Sequence, residues 1–165
     1  MIVTLDIEGD NLRPEAKRIW CACAIENEPK EKWDTIHRFY DGEPVTEKQM
    51  VIYKDYPLNY LPNFLSLCDE ICMHNGIEYD RWLIKKVMKY LIPLEKITDT
   101  LVLSKLLNPQ RKGNSVAAWA ERLGDKKVEH EEWDKFSPEM LFRCERDVIL
   151  QREILRELIR ETNYE

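Results

Sequence analysis

The chain of 165 residues contains no apolar stretch approaching the ~20 residues needed to span a bilayer. Its N-terminus has no basic region followed by an apolar core, so a secretory leader is not expected and the cytoplasm is the expected location. An excess of basic charge is also missing. The 25 Lys and Arg residues stand against 31 Asp and Glu, a net charge of −6. That balance argues against a protein that coats nucleic acid by bulk electrostatics, but not against a nuclease whose acids gather around metal. Basic residues occur in small groups, Lys85 with Lys86 and Lys89, Lys105 with Arg111 and Lys112, and Lys126 with Lys127, each read first as a solvated face. There is no CxxC pair. The five cysteines are odd in number, and Cys21 and Cys23 alternate with small residues in Trp20-Cys-Ala-Cys-Ala-Ile25, the pattern of reduced thiols buried in a strand. No internal repeat, low-complexity tract or linker divides the chain, so one domain over residues 1–165 is expected.

What is present begins with Asp6-Ile7-Glu8 at the end of the apolar run Met1 to Leu5. A strand points residues i and i+2 to one face, so the two carboxylates emerge side by side. Adjacent like charges repel, and a divalent cation would neutralise them, although solvated strand ends also carry such pairs. Further along, residues 18–25 and 33–40 read as strands that continue an opening meander. The segment 43–60, rich in Pro, Tyr and charge, is expected to wrap the surface before a helix near 60–67. Glu70-Ile71-Cys72-Met73 reads as another strand, ending at His74-Asn75-Gly76, and a helix follows over roughly 78–90. Ile97 to Thr100 leads into a helix ending at Leu107. Asn114 or Ser115 caps the next helix, which Gly124 stops, and Ser137-Pro138-Glu139 opens a long final helix. Strands, then a strand-helix unit, then helices make an α/β architecture with a mixed central sheet flanked by helices.

Two further acids sit where a metal centre could use them, Asp80 at the start of a helix and Asp147 in the last one. Asp147 precedes Val148-Ile149-Leu150 and so lies near a buried side, where an unpaired carboxylate is expensive.

The ordered set of D-x-E on a first strand, H-N-G-x-x-Y-D, D-T-L, A-W-x-x-R-L-G and a late helical Asp resembles the DEDD (DnaQ-like) 3′–5′ exonucleases. The likeness is greatest to the proofreading domains of bacteriophage family-A DNA polymerases, and it covers the chain from Asp6 to about residue 155. The resemblance implies an RNase H-like fold and a free-standing, two-metal phosphodiesterase using Mg²⁺ or Mn²⁺, located in a bacterial or phage-infected cytoplasm. Asp6 would bridge both cations, Glu8 and Asp147 would complete the first site, and Asp80 would hold the second. Its substrate would be the 3′ end of single-stranded DNA, with RNA or short oligonucleotides as alternatives, and a DNA polymerase or other replication protein would be a candidate partner. Leu12 matches a position that packs on the terminal base, with an ordinary core leucine as the competing reading. Asn75 matches one that contacts the 3′-terminal nucleotide, with plain turn chemistry as its competitor. His74 reads as a hydrogen-bonded structural residue, Asp99 and Thr100 as a helix cap, and Trp119 as core.

The chain departs from the pattern at one point. These enzymes carry a Tyr four residues, or a His five residues, before the last Asp, where this chain has Arg143 and Phe142. Residues i and i+4 share a helix face, so Arg143 should project toward the same site as Asp147. A guanidinium stays protonated and cannot act as general base, a function typically worth ~10²–10⁴ in rate. It could clamp a phosphate, or stand in for a cation and weaken metal binding, which would leave a catalytically weak fold that binds nucleic acid or a protein partner. The sequence leaves open whether His130 or Tyr79 substitutes as the base.

Overall fold

The computed structural model describes residues 1–125, 130 and 132–163. Its centre is one six-stranded mixed sheet. The strands are β1 (Ile2–Gly9), β2 (Ile19–Glu26), β3 (Asp34–Phe39), β4 (Val51–Tyr56), β5 (Glu70–Met73) and β6 (Ile97–Asp99), in the order β4-β3-β2-β1-β5-β6. The β1–β2 and β2–β3 pairs are antiparallel, the opening meander, while β3–β4, β1–β5 and β5–β6 are parallel. The helices are α1 (Leu61–Leu67), α2 (Asp80–Met88), α3 (Thr100–Leu107), α4 (Val116–Arg122) and α5 (Pro138–Asn163).

Strand alternation divides the core into two layers. Val3, Leu5 and Ile7 of β1 pack with Leu61, Phe64 and Leu65 of α1 and Leu83 and Ile84 of α2. On the opposite face Cys21, Cys23 and Ile25 of β2 meet Met140, Leu141, Cys144 and Val148 of α5. The even-numbered residues of β1, including Asp6 and Glu8, therefore turn toward α5. A third cluster joins Trp119 and Ala120 of α4 to Leu150, Ile154 and Leu158 of α5, and Trp119 is core as its spacing suggested. All five cysteines are free and buried.

Two parts of the sequence reading need correction. The segment 43–60 does not merely wrap the surface: Val51–Tyr56 adds β4 in parallel register beside β3. Val-Ile-Tyr is strand chemistry, but its parallel partner β3 lies across the irregular connection 40–50 and the strand is a half-exposed edge, so neither alternation nor a tight turn announces it. Likewise Ile97–Asp99 is a short strand as well as the approach to α3. Ser115, rather than Asn114, caps α4, its hydroxyl accepting from the Ala118 amide at 3.1 Å. No helix among the described residues is long and apolar enough to cross a membrane.

Candidate active site

Asp6 and Glu8 leave the centre of the sheet where β1 changes register against β2, between Glu8 and Gly9. Such irregularities re-aim the side chains beside them. Gly9 is required there for a separate reason. A Cβ at this position would lie 2.4 Å from Tyr79 Oη and 2.8 Å from Leu83 Cδ2, so only glycine admits the start of α2 this close to β1. The close approach brings Asp80, in the first turn of α2, into the electrostatic field of Asp6. Asp147 arrives from α5, with Arg143 one turn before it and Gln151 one turn after, on a single helix face.

These side chains line one pocket of about 440 Å³, a size typical of small-ligand clefts. Asp6, Glu8, Asp80, Asp147, Arg143, Leu12 and Asn75 all border it, so the residues expected to hold metal or contact substrate face one pocket. Leu12 is 76% exposed, which removes the core reading of that residue. Asn75 takes a left-handed backbone (φ 63°), consistent with turn chemistry, and it also faces the pocket.

Asp99 secures this loop. Its carboxylate accepts from the Asn75 amide (2.9 Å), the Ile77 amide (3.2 Å) and the Leu101 amide (3.0 Å), tying the exit of β5 to the start of α3. His74 donates from Nε2 to the Asn114 carbonyl (2.7 Å), and its Nδ1 pairs with the Thr100 hydroxyl at 2.8 Å, as befits a structural histidine.

The electrostatics are dominated by crowded acid. Glu8 is 5% exposed, and burial, reinforced by Asp6, Cys144 and Asp147 and opposed by Arg143, pushes its carboxyl up to about 11. Burial, with Asp6 as the main charge partner, likewise holds Asp80 well above the usual carboxylate range. One oxygen of Glu8, Oε1, is buried and has no hydrogen-bond partner. Arg143 supplies countercharge: its Nε lies 3.8 Å from Asp147 Oδ2, and its guanidinium stacks 4.7 Å from the Trp133 ring. The Trp133 carbonyl is in turn held by Trp20 Nε1 at 2.8 Å.

Two pocket residues, Gln151 and Trp133, and one buried thiol beside Asp6 escaped the sequence reading. Gln151 donates to Asp6 Oδ1 (3.1 Å), and its position four residues after Asp147 was the available signal. Cys144 places its thiol 3.7 Å from Asp6 Oδ2, and Trp133 forms a wall; nothing in their local sequence marks either one. Tyr79 borders the pocket and donates to the Asn11 carbonyl (2.7 Å), whereas His130 packs edge-on against Trp133 and is not among the lining residues. Of the basic groups, Lys86 is tied to the Ala16 carbonyl and Arg111 is bidentate to Glu161, so both serve the fold. Lys126 and Lys127 lie outside the described residues.

The sheet order, the helices around it and the site at the end of β1 define the DnaQ-like 3′–5′ exonuclease fold. The chain is distantly related to the DNA-directed DNA polymerase of Enterobacteria phage T3, 26% identical over 96% of this chain but only 27% of the polymerase. It thus spans about a quarter of the length of that relative. Among solved structures it is similar to Brucella melitensis NrnC with bound Mg²⁺, at a TM-score of 0.63 and 15% identity, covering 99% of this chain and 74% of that one. Exonuclease X in complex with 5′ overhanging duplex DNA aligns with a TM-score of 0.51 and 15% identity, over 95% of this chain and 92% of that one. No protein-family profile matches the chain.

Proposed function

We propose that residues 1–165 form a single metal-dependent 3′–5′ exonuclease that releases nucleoside 5′-monophosphates from the 3′ end of single-stranded DNA, with RNA or short oligonucleotides as alternative substrates. One observation carries this reading: four carboxylates converge on one pocket although Glu8, Asp80 and Asp147 are almost fully buried. Burying so many like charges is unfavourable unless something positive joins them, and hard oxygen-seeking dications suit an all-carboxylate set.

The donor set fits Mg²⁺ or Mn²⁺. Glu8 has a buried oxygen without a hydrogen-bond partner, and the strong upward displacement of Glu8 and Asp80 is what a cation would reverse. Asp6, Glu8 and Asp147 would hold one ion, and Asp6 with Asp80 the second. Bound there, divalent cations would supply an activated water and neutralise charge developing on the scissile phosphate. NrnC, which shares the fold, has been solved with Mg²⁺, and exonuclease X with DNA, which supports both the cofactor and the substrate class.

The chain's own residues do the rest. Gln151 fixes the rotamer of Asp6 through its hydrogen bond. Arg143, 13% exposed and braced by Trp133, presents a permanent positive charge to a phosphate at the carboxylates. Leu12 offers an apolar contact at the mouth for the terminal base, and Asn75 a polar one for the 3′-terminal nucleotide. The kinship with a phage polymerase supports a role beside a DNA polymerase or other replication protein, in a bacterial or phage-infected cytoplasm.

A second reading is favoured by the 3.8 Å approach of Arg143 to Asp147: the guanidinium acts as an internal cation, and the fold binds nucleic acid or a protein partner with weak catalysis. Incubating a 5′-labelled single strand with Mg²⁺ or Mn²⁺ separates the two. A ladder shortened from the 3′ end and absent in Asp6→Ala supports the exonuclease; intact substrate at high protein concentration sinks it.

A further inference from the structure

The side of the sheet that faces α5 carries thiols directly beneath the carboxylates. Cys21 and Cys23 of β2 and Cys144 of α5 are buried and free, and all three belong to one packed cluster. Cys144 alone reaches the acids. Its Sγ lies 3.4 Å from the Asp6 carbonyl oxygen and 3.7 Å from Asp6 Oδ2. That sulfur and one oxygen each of Asp6 and Glu8 all fall within 4.8 Å of one another. Glu8 is 5% exposed, and its Oε1 has no hydrogen-bond partner.

We propose that Asp6, Glu8 and Cys144 form a binding site for a thiophilic divalent cation, Zn²⁺ or Cd²⁺, whose occupancy excludes the hard cations from the same carboxylates. The geometry is the first argument. Zinc bonds of ~2.3 Å to sulfur and ~2.0–2.2 Å to carboxylate oxygen, set at the tetrahedral angle, put sulfur and oxygen about 3.6 Å apart. The observed separation of Cys144 Sγ and Asp6 Oδ2 is 3.7 Å.

Ligand chemistry is the second argument. Mg²⁺ requires near-octahedral oxygen and gains nothing from a thiol, whereas Zn²⁺ and Cd²⁺ prefer sulfur and accept three protein ligands with an open fourth position. Access is the third, since Asp6 is only partly buried and opens onto the pocket. On binding, the Cys144 S–H bond breaks, its proton leaves to bulk water, and the sulfur lone pair forms the bond to the cation; no electron transfer is involved.

Such a cation would take two of the four carboxylates and so inhibit the nuclease. That consequence rests on the proposed function; the coordination itself does not. The test is titration of the EDTA-stripped full chain with Cd²⁺, reading the ultraviolet thiolate-to-cadmium charge-transfer band. The expected result is a band that saturates at one Cd²⁺ per chain, disappears in Cys144→Ser, persists in Cys21→Ala and moves to higher Cd²⁺ concentration as Mg²⁺ is added. Asp6→Asn and Glu8→Gln keep the thiol and should each weaken Cd²⁺ binding by at least about tenfold, which preserves the test should Cys144→Ser fail to fold. No band in the wild type, a band undiminished in Cys144→Ser, or one lost in Cys21→Ala overturns the proposal. A band in a protein that degrades no DNA supports the site and counts against the nuclease reading alone.

Discussion

Replacing Glu8 by Gln should stabilise the cation-free protein while weakening its response to divalent cations. The folded carboxyl is raised from 4.5 to about 11, so the native state holds a proton that the unfolded chain releases. For a raised acid the contribution is fully present below pH 4.5 and is lost progressively as pH climbs toward 11. At pH 7 the interval above the ordinary value is about 2.5 units, and at ~1.4 kcal/mol per unit the cost is about 3 kcal/mol. This figure depends only on the folded value lying well above 7. Glutamine keeps the volume and removes the titration, so Glu8→Gln should gain up to about 3 kcal/mol at pH 7, roughly 6–12 °C in Tm for a domain of this size. Between about pH 5 and pH 9 in EDTA, wild-type stability should fall with rising pH, and the variant's should fall less steeply. Mg²⁺ should close the gap and then reverse the ranking, because a cation adds about 2.7 kcal/mol at 100 times its Kd and about 4.1 kcal/mol at 1,000 times to a protein that still holds it. Urea unfolding at several pH values, with EDTA and with Mg²⁺, measures all of this. A Glu8→Gln variant no more stable than wild type in EDTA at neutral pH would refute the reasoning.

Arg143→Ala should lower kcat/KM on single-stranded DNA by about 10²–10³, the usual loss on removing one donor to developing charge; a rise in rate would instead assign Arg143 the role of internal cation. Arg38 is fully buried, bidentate to Asp55 through Nε and Nη2 (both 2.8 Å) and bonded to Glu145 at 3.0 Å. Arg38→Met strands Glu145 in the interior and should cost about 3–5 kcal/mol in urea unfolding, with a loss below about 1 kcal/mol contradicting the network's importance. At Gly76 a Cβ would sit 2.3 Å from Met73 Cβ, so Gly76→Ala must displace the loop that carries Asn75. It should destabilise by about 1–3 kcal/mol and raise KM for DNA, and a variant with wild-type melting and KM would show the loop to be slack.

The parts of the fold readable in advance were those set by local chemistry. The apolar run from Met1 to Leu5, ending in Asp6-Ile7-Glu8, specified a strand with both acids on one face, and Ser137-Pro138 opened α5 where expected. Strand β4 was missed because it is an edge strand whose parallel partner lies across an irregular loop. For Leu12 the sequence left a contact with the terminal base and an ordinary core leucine both open, and its exposure removed the second, since nothing local reports which face of a loop meets solvent. Gln151 was hidden in plain spacing, as a polar residue one turn beyond Asp147.

By itself the sequence named the candidate site residues and their order, and determined which neighbours share a strand or helix face, because periods of 2 and 3.6 are properties of the backbone. Only the tertiary structure decided that Asp80 reaches Asp6, which depends on the missing side chain of Gly9. It alone set the Cys144 thiol 3.7 Å from Asp6 Oδ2 and the Gln151 side-chain amide 3.1 Å from Asp6 Oδ1. Those distances join a strand to a helix about 140 residues later in the chain, and packing between sheet and helix, not any local rule, fixes them.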